Sequence, residues 1–214
     1  MTALTLRVGA AATTLAFFPA LWLGYTLARR SFPGRTLVQA LVSLPMVLPP
    51  VAVGLALLLL LGRHGPVAPL LAVLGVEVVF TWKAAALAAA VVGFPLLVRG
   101  CEQAFAEVDP RYERVAASLG LPPVATFVRV TLPLAGRGVI YAVVLAFTRA
   151  LGEFGATALV AGILPGRTET LALGIWSRVQ AGDDRGALVL CAASFLLALG
   201  AMLVAEGWLA RRRR

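Results

Sequence analysis

Five stretches of this chain, Val8 to Ala28, Val38 to Leu61, Val79 to Val98, Leu134 to Gly162 and Ala187 to Ala210, are long and apolar enough to cross a hydrocarbon core that takes about 20 helical residues. Backbone polar groups in hydrocarbon must find partners inside their own segment, so such runs fold as helices. The chain is therefore expected to be an all-α integral membrane protein with about five transmembrane helices in one domain, residues 1–214. With 60% hydrophobic and 14% charged residues, it lies far from the composition of a soluble domain. The first run follows Arg7 and is rich in alanine, as a signal peptide is. It is longer than a leader's apolar region and ends in Arg29-Arg30, a stop-transfer pattern, so it reads as retained.

The net charge of +9 invites a nucleic-acid reading, but the arginines gather at the ends of apolar runs rather than along a wettable face. That placement obeys the positive-inside rule instead. Putting the C-terminus in the cytoplasm places twelve cations inside (Arg29, Arg30, Arg35, Arg99, Arg111, Arg114, Arg129, Arg137 and Arg211 to Arg214). Six fall outside (Arg7, Arg63, Lys83, Arg167, Arg178 and Arg185), and Arg149 lies within a span. The expected orientation is N-terminus outside and C-terminus cytoplasmic. Lys83 beside Trp82 reads as a snorkelling cation in an aromatic belt, to which Trp22, Trp176 and Trp208 also belong. Cys101 and Cys191 sit in or beside apolar runs and read as packed thiols, while His64 lies in the turn Gly62 to Pro66. No nucleophile, acid/base pair or metal-ligand spacing emerges, so neither a catalytic nor a metal site is expected.

The orientation puts the one long polar passage, Arg99 to Pro133, in the cytoplasm. Asp109 suits the cap of a short helix, Pro110 its first turn and Gly120 its end, and a second short segment runs from Pro122 to Val130. Helix, turn and an exit set by Pro133 make a compact knob able to seat in a partner's cleft and pass force to the spans on either side. An amphipathic helix lying among lipid headgroups through Arg111, Arg114 and Arg129 is the competing reading. It has no need of the interval between Gly120 and Leu132-Pro133.

Two features interrupt the spans. Arg149 and Glu153 stand four residues apart and can pair on one helix face. Arg149 falls ~22 Å along its run at ~1.5 Å per residue, past the middle of a ~30 Å core. Intramembrane charge of this kind faces protein or water and marks a pathway, a gate or a packing pair. Gly155 allows close helix approach beside it, and Thr157 follows. In the second run Pro45, Pro49 and Pro50 remove backbone donors and bend the helix, either beside a polar cavity or as a packing kink. The residues Pro45, Pro49, Pro50, Arg149, Glu153, Gly155 and Thr157 are the candidates for a translocation pathway or gate. Arg167 to Gln180 is too short and polar to cross and is expected to be an outer helix.

Glu113-Arg114-Val115-Ala116-Ala117-Ser118-Leu119-Gly120, nine residues, then Val130-Thr131-Leu132-Pro133 resembles the cytoplasmic loop of ABC importer permeases, Glu-Ala-Ala, three residues, Gly, nine residues, Ile-x-Leu-Pro. Val130 replaces Ile. The acidic residue is displaced, with Arg114 six before Gly120 and Glu113 one earlier, and Ala-Ala is displaced likewise. Arg30-Ser31-Phe32-Pro33-Gly34, Leu44 to Gly54, Trp82-Lys83 with Phe94-Pro95-Leu96, and Gly152-Glu153-Phe154-Gly155-Ala156-Thr157 are similar to segments of the molybdate class, which shares much with sulfate and tungstate permeases. Nearly the whole chain thus resembles a type I ABC importer permease with cytoplasmic coupling helices. The resemblance implies a multi-pass permease of the bacterial inner membrane. Two copies of it would form the channel among membrane lipids, a dimer of cytoplasmic ATPases would sit below, and an extracytoplasmic binding protein would deliver a tetrahedral dianion. It also implies coupling to the ATPase through Arg111, Glu113, Arg114, Ala116, Ala117, Gly120, Val130, Leu132 and Pro133, with either Glu113 or Arg114 meeting the partner. The chain has no Gly-x-x-x-x-Gly-Lys-[Ser/Thr] loop, so no cofactor is expected in it, and ATP with Mg belongs to the partner. A proton- or sodium-coupled carrier using Glu153 and a membrane scaffold are the rival readings, followed by a membrane enzyme. No paired broken helices in matching halves suggest the inverted repeat of a carrier, and a scaffold leaves Arg149, Glu153 and the loop spacing unexplained.

Overall fold

The computed structural model describes residues 1–211; Arg212 to Arg214 of the basic block and the side chain of Trp208 lie outside the described residues. In chain order the helices are α1 (Thr2–Arg29), α2 (Arg35–Val47), α3 (Pro50–Leu61), α4 (Ala68–Val73), α5 (Trp82–Ala106), α6 (Pro110–Ser118), α7 (Pro123–Thr126), α8 (Leu132–Leu151), α9 (Gly155–Val160), α10 (Leu171–Gln180) and α11 (Asp184–Arg211). A π-wound stretch, Phe127–Thr131, joins α7 to α8. There is no strand among the described residues.

Small residues decide how these helices pack. Helix α1 buries Val8, Ala12, Ala16, Ala20 and Gly24 at a four-residue spacing, which lays a narrow stripe along one face. Against it lies α5, whose alanines and Gly93 are buried on most sides, so α5 is the central post of the fold. Contact is closest at Gly24, where an added Cβ would stand 2.7 Å from Cys101 Cβ and 2.9 Å from the Glu102 nitrogen. Helix α8 meets the other side of α5 through Ala135, Val139, Ala142 and Ala146. With no hydrophobic effect between helices in lipid, such close backbone approach supplies the dispersion contacts that hold them together.

The contacts at the helix ends fix the direction of each pass. The Arg7 guanidinium lies 3.8 Å above the Trp82 ring, so the starts of α1 and α5 share one end of the molecule. At the opposite end, Arg29 Nη2 donates to the Val108 carbonyl at 2.8 Å. Helices α1 and α5 are therefore parallel, and α2 with α3 must carry the chain back between them. Glu206 of α11 lines a cavity with Gln103, Glu107 and Arg137, so the far end of α11 shares the end that holds the polar loop.

Three of the expected runs differ from the folded helices. The second is no straight crossing: α2 and α3 meet at 106°. Leu48 and Pro49 each precede a proline and are extended (ψ 145° and 132°), which stops α2 and lets Pro50 start α3. Among the described residues, four helices are individually long and apolar enough to cross a bilayer, and a fifth crossing needs this bent pair. The fourth run breaks at Gly152 to Phe154 instead of continuing to Gly162. The third starts at Trp82, capped by the Thr81 hydroxyl, and runs on to Ala106. The polar passage is correspondingly shorter than Arg99 to Pro133, because Arg99 to Ala106 are helical. Pro133 does not set an exit either. The π winding, in which the Leu132 N–H donates to the Phe127 carbonyl, carries the helix past Pro133 without interruption. Helix α10 lies within the expected outer segment, but its Leu171, Leu173 and Gly174 are buried and the Leu171 N–H donates to Thr5 Oγ1 at 2.9 Å.

Candidate functional site

At the loop end, α6 forms for local reasons. The Asp109 carboxylate accepts the Arg111 N–H at 2.8 Å, and Pro110 occupies the first turn. The helix closes with two backbone bonds, Gly120 N–H to Ala117 O at 2.9 Å and Leu121 N–H to Ala116 O at 3.1 Å. That pairing needs a left-handed residue after the cap, and Gly120 supplies it at φ 83°. The knob's two candidates for meeting the partner, Glu113 and Arg114, are separated plainly. Glu113 faces inward: its Oε1 accepts from Arg29 Nε at 3.1 Å and from Thr131 Oγ1 at 2.8 Å. Arg114 is exposed, as are Arg111, Ala117, Tyr112, Val115 and Leu119, whereas Ala116 is buried. Val130 and Leu132 are half-buried at the π winding, and Pro133 is exposed.

A second cluster forms where the two broken runs touch. Glu153, 3% exposed, takes the Arg149 Nη1 at 2.9 Å and the Ala156 N–H at 3.0 Å. Its carboxylate thus closes an ion pair with the last turn of α8 and caps the start of α9. The two residues meet as the four-residue spacing suggests, but across a helix break rather than along one face. Helix α9 packs on α3 so tightly that a Cβ on Gly54 would lie 2.6 Å from the Ala156 carbonyl oxygen. A Cβ on Gly155 would lie 3.0 Å from Pro50 Cβ. Pro50, Arg149, Glu153, Gly155 and the buried Thr157 therefore belong to one junction. Pro49 is exposed at the bend between α2 and α3. Pro45 lies back in α2, lining an apolar groove with Leu15, Leu41 and Phe94.

Two hubs escape any reading of the sequence by motif. Glu102 accepts from Gln39 at 2.8 Å and Arg99 at 3.0 Å, and Arg35 stands at 3.5 Å, fastening α2 to α5. Only the Arg99/Glu102 spacing of three residues hints at it. Arg29, the other, reads as an ordinary flanking cation, yet its side chain is only 11% exposed.

A knob at the foot of a small-residue helix cluster, with a broken-helix junction inside it, is the architecture of a type I ABC transporter permease. The permease fold of the structure "Inward facing conformations of the MetNI methionine ABC transporter" superposes with a TM-score of 0.75, covering 97% of this chain and 92% of that one at 17% identity. Residues 20–214 match the family described as "Binding-protein-dependent transport system inner membrane component", and the chain belongs to that family. The molybdenum transport system permease protein ModB of Escherichia coli strain K12 is 40% identical over 213 residues, 99% of this chain and 93% of its own length. The sulfate transport system permease protein CysT of Salmonella typhimurium strain LT2 is 39% identical over 181 residues, 83% of this chain and 65% of its own.

Proposed function

We propose that this chain is the membrane-spanning subunit of an ATP-driven importer for molybdate, working as two copies above a pair of ATPase subunits and supplied by an extracytoplasmic binding protein. The observation that carries the reading is the 40% identity to a molybdenum permease across nearly the entire chain. In this reading the loop end is cytoplasmic and the start of α1 is outside. The exposed face of α6, Tyr112, Arg114, Val115 and Leu119, seats in a cleft of the ATPase. Closure of the ATPase on ATP displaces the knob, and the spans exchange inward-open for outward-open packing because the two states differ in knob contacts. The junction of α3, α8 and α9 lines or gates the path. Its Arg149, 39% exposed, stands in the last turn of α8 beside the break, while Glu153 keeps it from binding a dianion outright.

Sulfate is the second reading, favoured by the 39% identity to a sulfate permease. Uptake of radiolabelled molybdate into proteoliposomes holding this chain, its ATPase and its binding protein separates the two. ATP-dependent uptake that withstands excess sulfate supports molybdate. Uptake abolished by sulfate moves the assignment, and uptake indifferent to ATP overturns the importer.

A further inference from the structure

Chain connectivity attaches the knob to α5 and α8, but the side chains attach it to α1. Arg29, the last residue of α1, donates Nε to Glu113 Oε1 at 3.1 Å and Nη2 to the Val108 carbonyl at 2.8 Å. Thr131, fully buried in the π winding, donates its hydroxyl to the same Glu113 oxygen at 2.8 Å. One carboxylate oxygen thus gathers the end of α1, the first turn of α6 and the entrance to α8. Just beneath, Tyr25 of α1 stacks edge-on with Phe105 of α5 at 5.4 Å and with Phe127 of the π winding at 4.8 Å. Charge-assisted hydrogen bonds are the strong kind, and at 11% and 20% side-chain exposure for Arg29 and Glu113 water screens this pair little.

We infer that Glu113 is a positioning residue which clamps the knob to the inner end of α1, so that displacement of the knob is delivered to α1 and its close-packed partner α5. The residue on α6 that meets the partner is then Arg114. The inference rests on the importer reading for its functional consequence, though not for the clamp itself. Glu113 is spent inside the protein, on donors from two other elements, while Arg114 projects freely beside Tyr112 and Val115. Motion entering at α6 cannot relax within the loop, because Val108 on one side and Thr131 on the other are tied to the same guanidinium–carboxylate pair. Helix α1 in turn cannot slip along α5 where Gly24 touches Cys101 and Glu102.

The test compares Glu113→Gln and Thr131→Val, both nearly isosteric, with Arg114→Ala in the complete permease–ATPase–binding-protein complex. Clamp variants are expected to keep the ATPase bound through purification and to hydrolyse ATP within about twofold of the parent. Molybdate carried per ATP should fall about tenfold, the scale of an ordinary coupling between sites. Arg114→Ala should instead shed ATPase. Glu113→Gln that releases the ATPase, or that leaves uptake per ATP unchanged, overturns the inference. Hydrogen exchange of the amides from Arg114 to Gly120 decides the clamp independently of transport. Glu113→Gln should accelerate it about tenfold, the loss of one charge-assisted bond, and unchanged exchange refutes the clamp. Wild-type uptake that ignores ATP would overturn the importer reading while leaving the exchange result to stand for the clamp.

Discussion

Removing Arg149 should damage this protein far more than neutralising its partner. Glu153 is buried and has two donors, Arg149 Nη1 at 2.9 Å and the Ala156 N–H at 3.0 Å. Arg149→Leu strips one of them and strands a carboxylate between α8 and α9, at a cost of about 3 kcal/mol, the lower end of the range for breaking a buried pair. Glu153→Gln strands nothing. The amide oxygen still accepts from Ala156, and the guanidinium, 39% exposed, already reaches solvent, so the loss is about 1 kcal/mol. The double variant has no charge left to bury and should also sit about 1 kcal/mol below the parent. Against a sum of about 4 kcal/mol for the single changes, the cycle should show about 3 kcal/mol of coupling. A thiol-reactive dye reads this directly in a Cys191→Ala background, because Cys101 is buried and reports unfolding whereas Cys191 is exposed from the start. At ~2–4 °C per kcal/mol for a chain of this size, Arg149→Leu should lower Tm by about 6–12 °C and Glu153→Gln by about 2–4 °C. Equal losses for the two single variants, or an additive double variant, would refute the reasoning.

Gly54→Ala should lower Tm as well, by overpacking of about 1–3 kcal/mol, since its Cβ would stand 2.6 Å from the Ala156 carbonyl oxygen and neither helix offers a flexible side chain to yield. An unchanged melting curve would mean that α3 and α9 are not held together. At Gly120 the order should be Pro far worse than Ala. Open space surrounds the site and alanine meets only the left-handed penalty of about 1–2 kcal/mol, whereas proline cannot adopt φ 83° and lacks the N–H bonded to Ala117. ATPase retained by Gly120→Pro but lost by Gly120→Ala would contradict this account. Asp183 carries an acid-side dependence. The Gly186 N–H, then the Arg178 guanidinium, hold its carboxyl below the ordinary carboxylate range. Its stabilisation is therefore present above about pH 4 and disappears as pH falls through the depressed folded value. The Tm difference between parent and Asp183→Asn should be constant at neutral pH and close on acidification; a gap that widens there would reverse the sign.

What could be read from the residues was what neighbouring residues decide. The α6 cap at Asp109 and the left-handed Gly120 depend on fewer than a dozen consecutive positions, and both stand where the chemistry puts them. Polar residues after Val98 were misleading for a physical reason: they mark where the chain leaves hydrocarbon, not where a helix stops. Arg99 and Glu102 extend α5 because α2 supplies Gln39 and Arg35 as partners and because Cys101 and Phe105 of the same turns are buried. The break at Gly152 was hidden by the reverse effect. Apolar residues resume beyond Glu153, and the cap that Glu153 gives α9 together with the fit of α9 onto Gly54 of α3 makes a stop there favourable. Whether Glu113 or Arg114 turns outward depends on Arg29, 84 residues away from Glu113, and no local spacing carries that information.

The π winding at Phe127–Thr131 has a bearing on the gene. It holds one residue more than α winding would use over the same rise, so an in-frame loss of a single codon there would convert it to ordinary helix. Everything before the deletion would rotate about 100° around the α8 axis and draw in by about 1.5 Å. Tyr112, Arg114 and Leu119 would then point away from their present direction, and Glu113 would miss Thr131, although none of those residues had changed. Homologous chains should therefore vary in length freely in turns remote from the knob, such as Gly62 to Pro66, and hold their codon count fixed between Gly120 and Pro133.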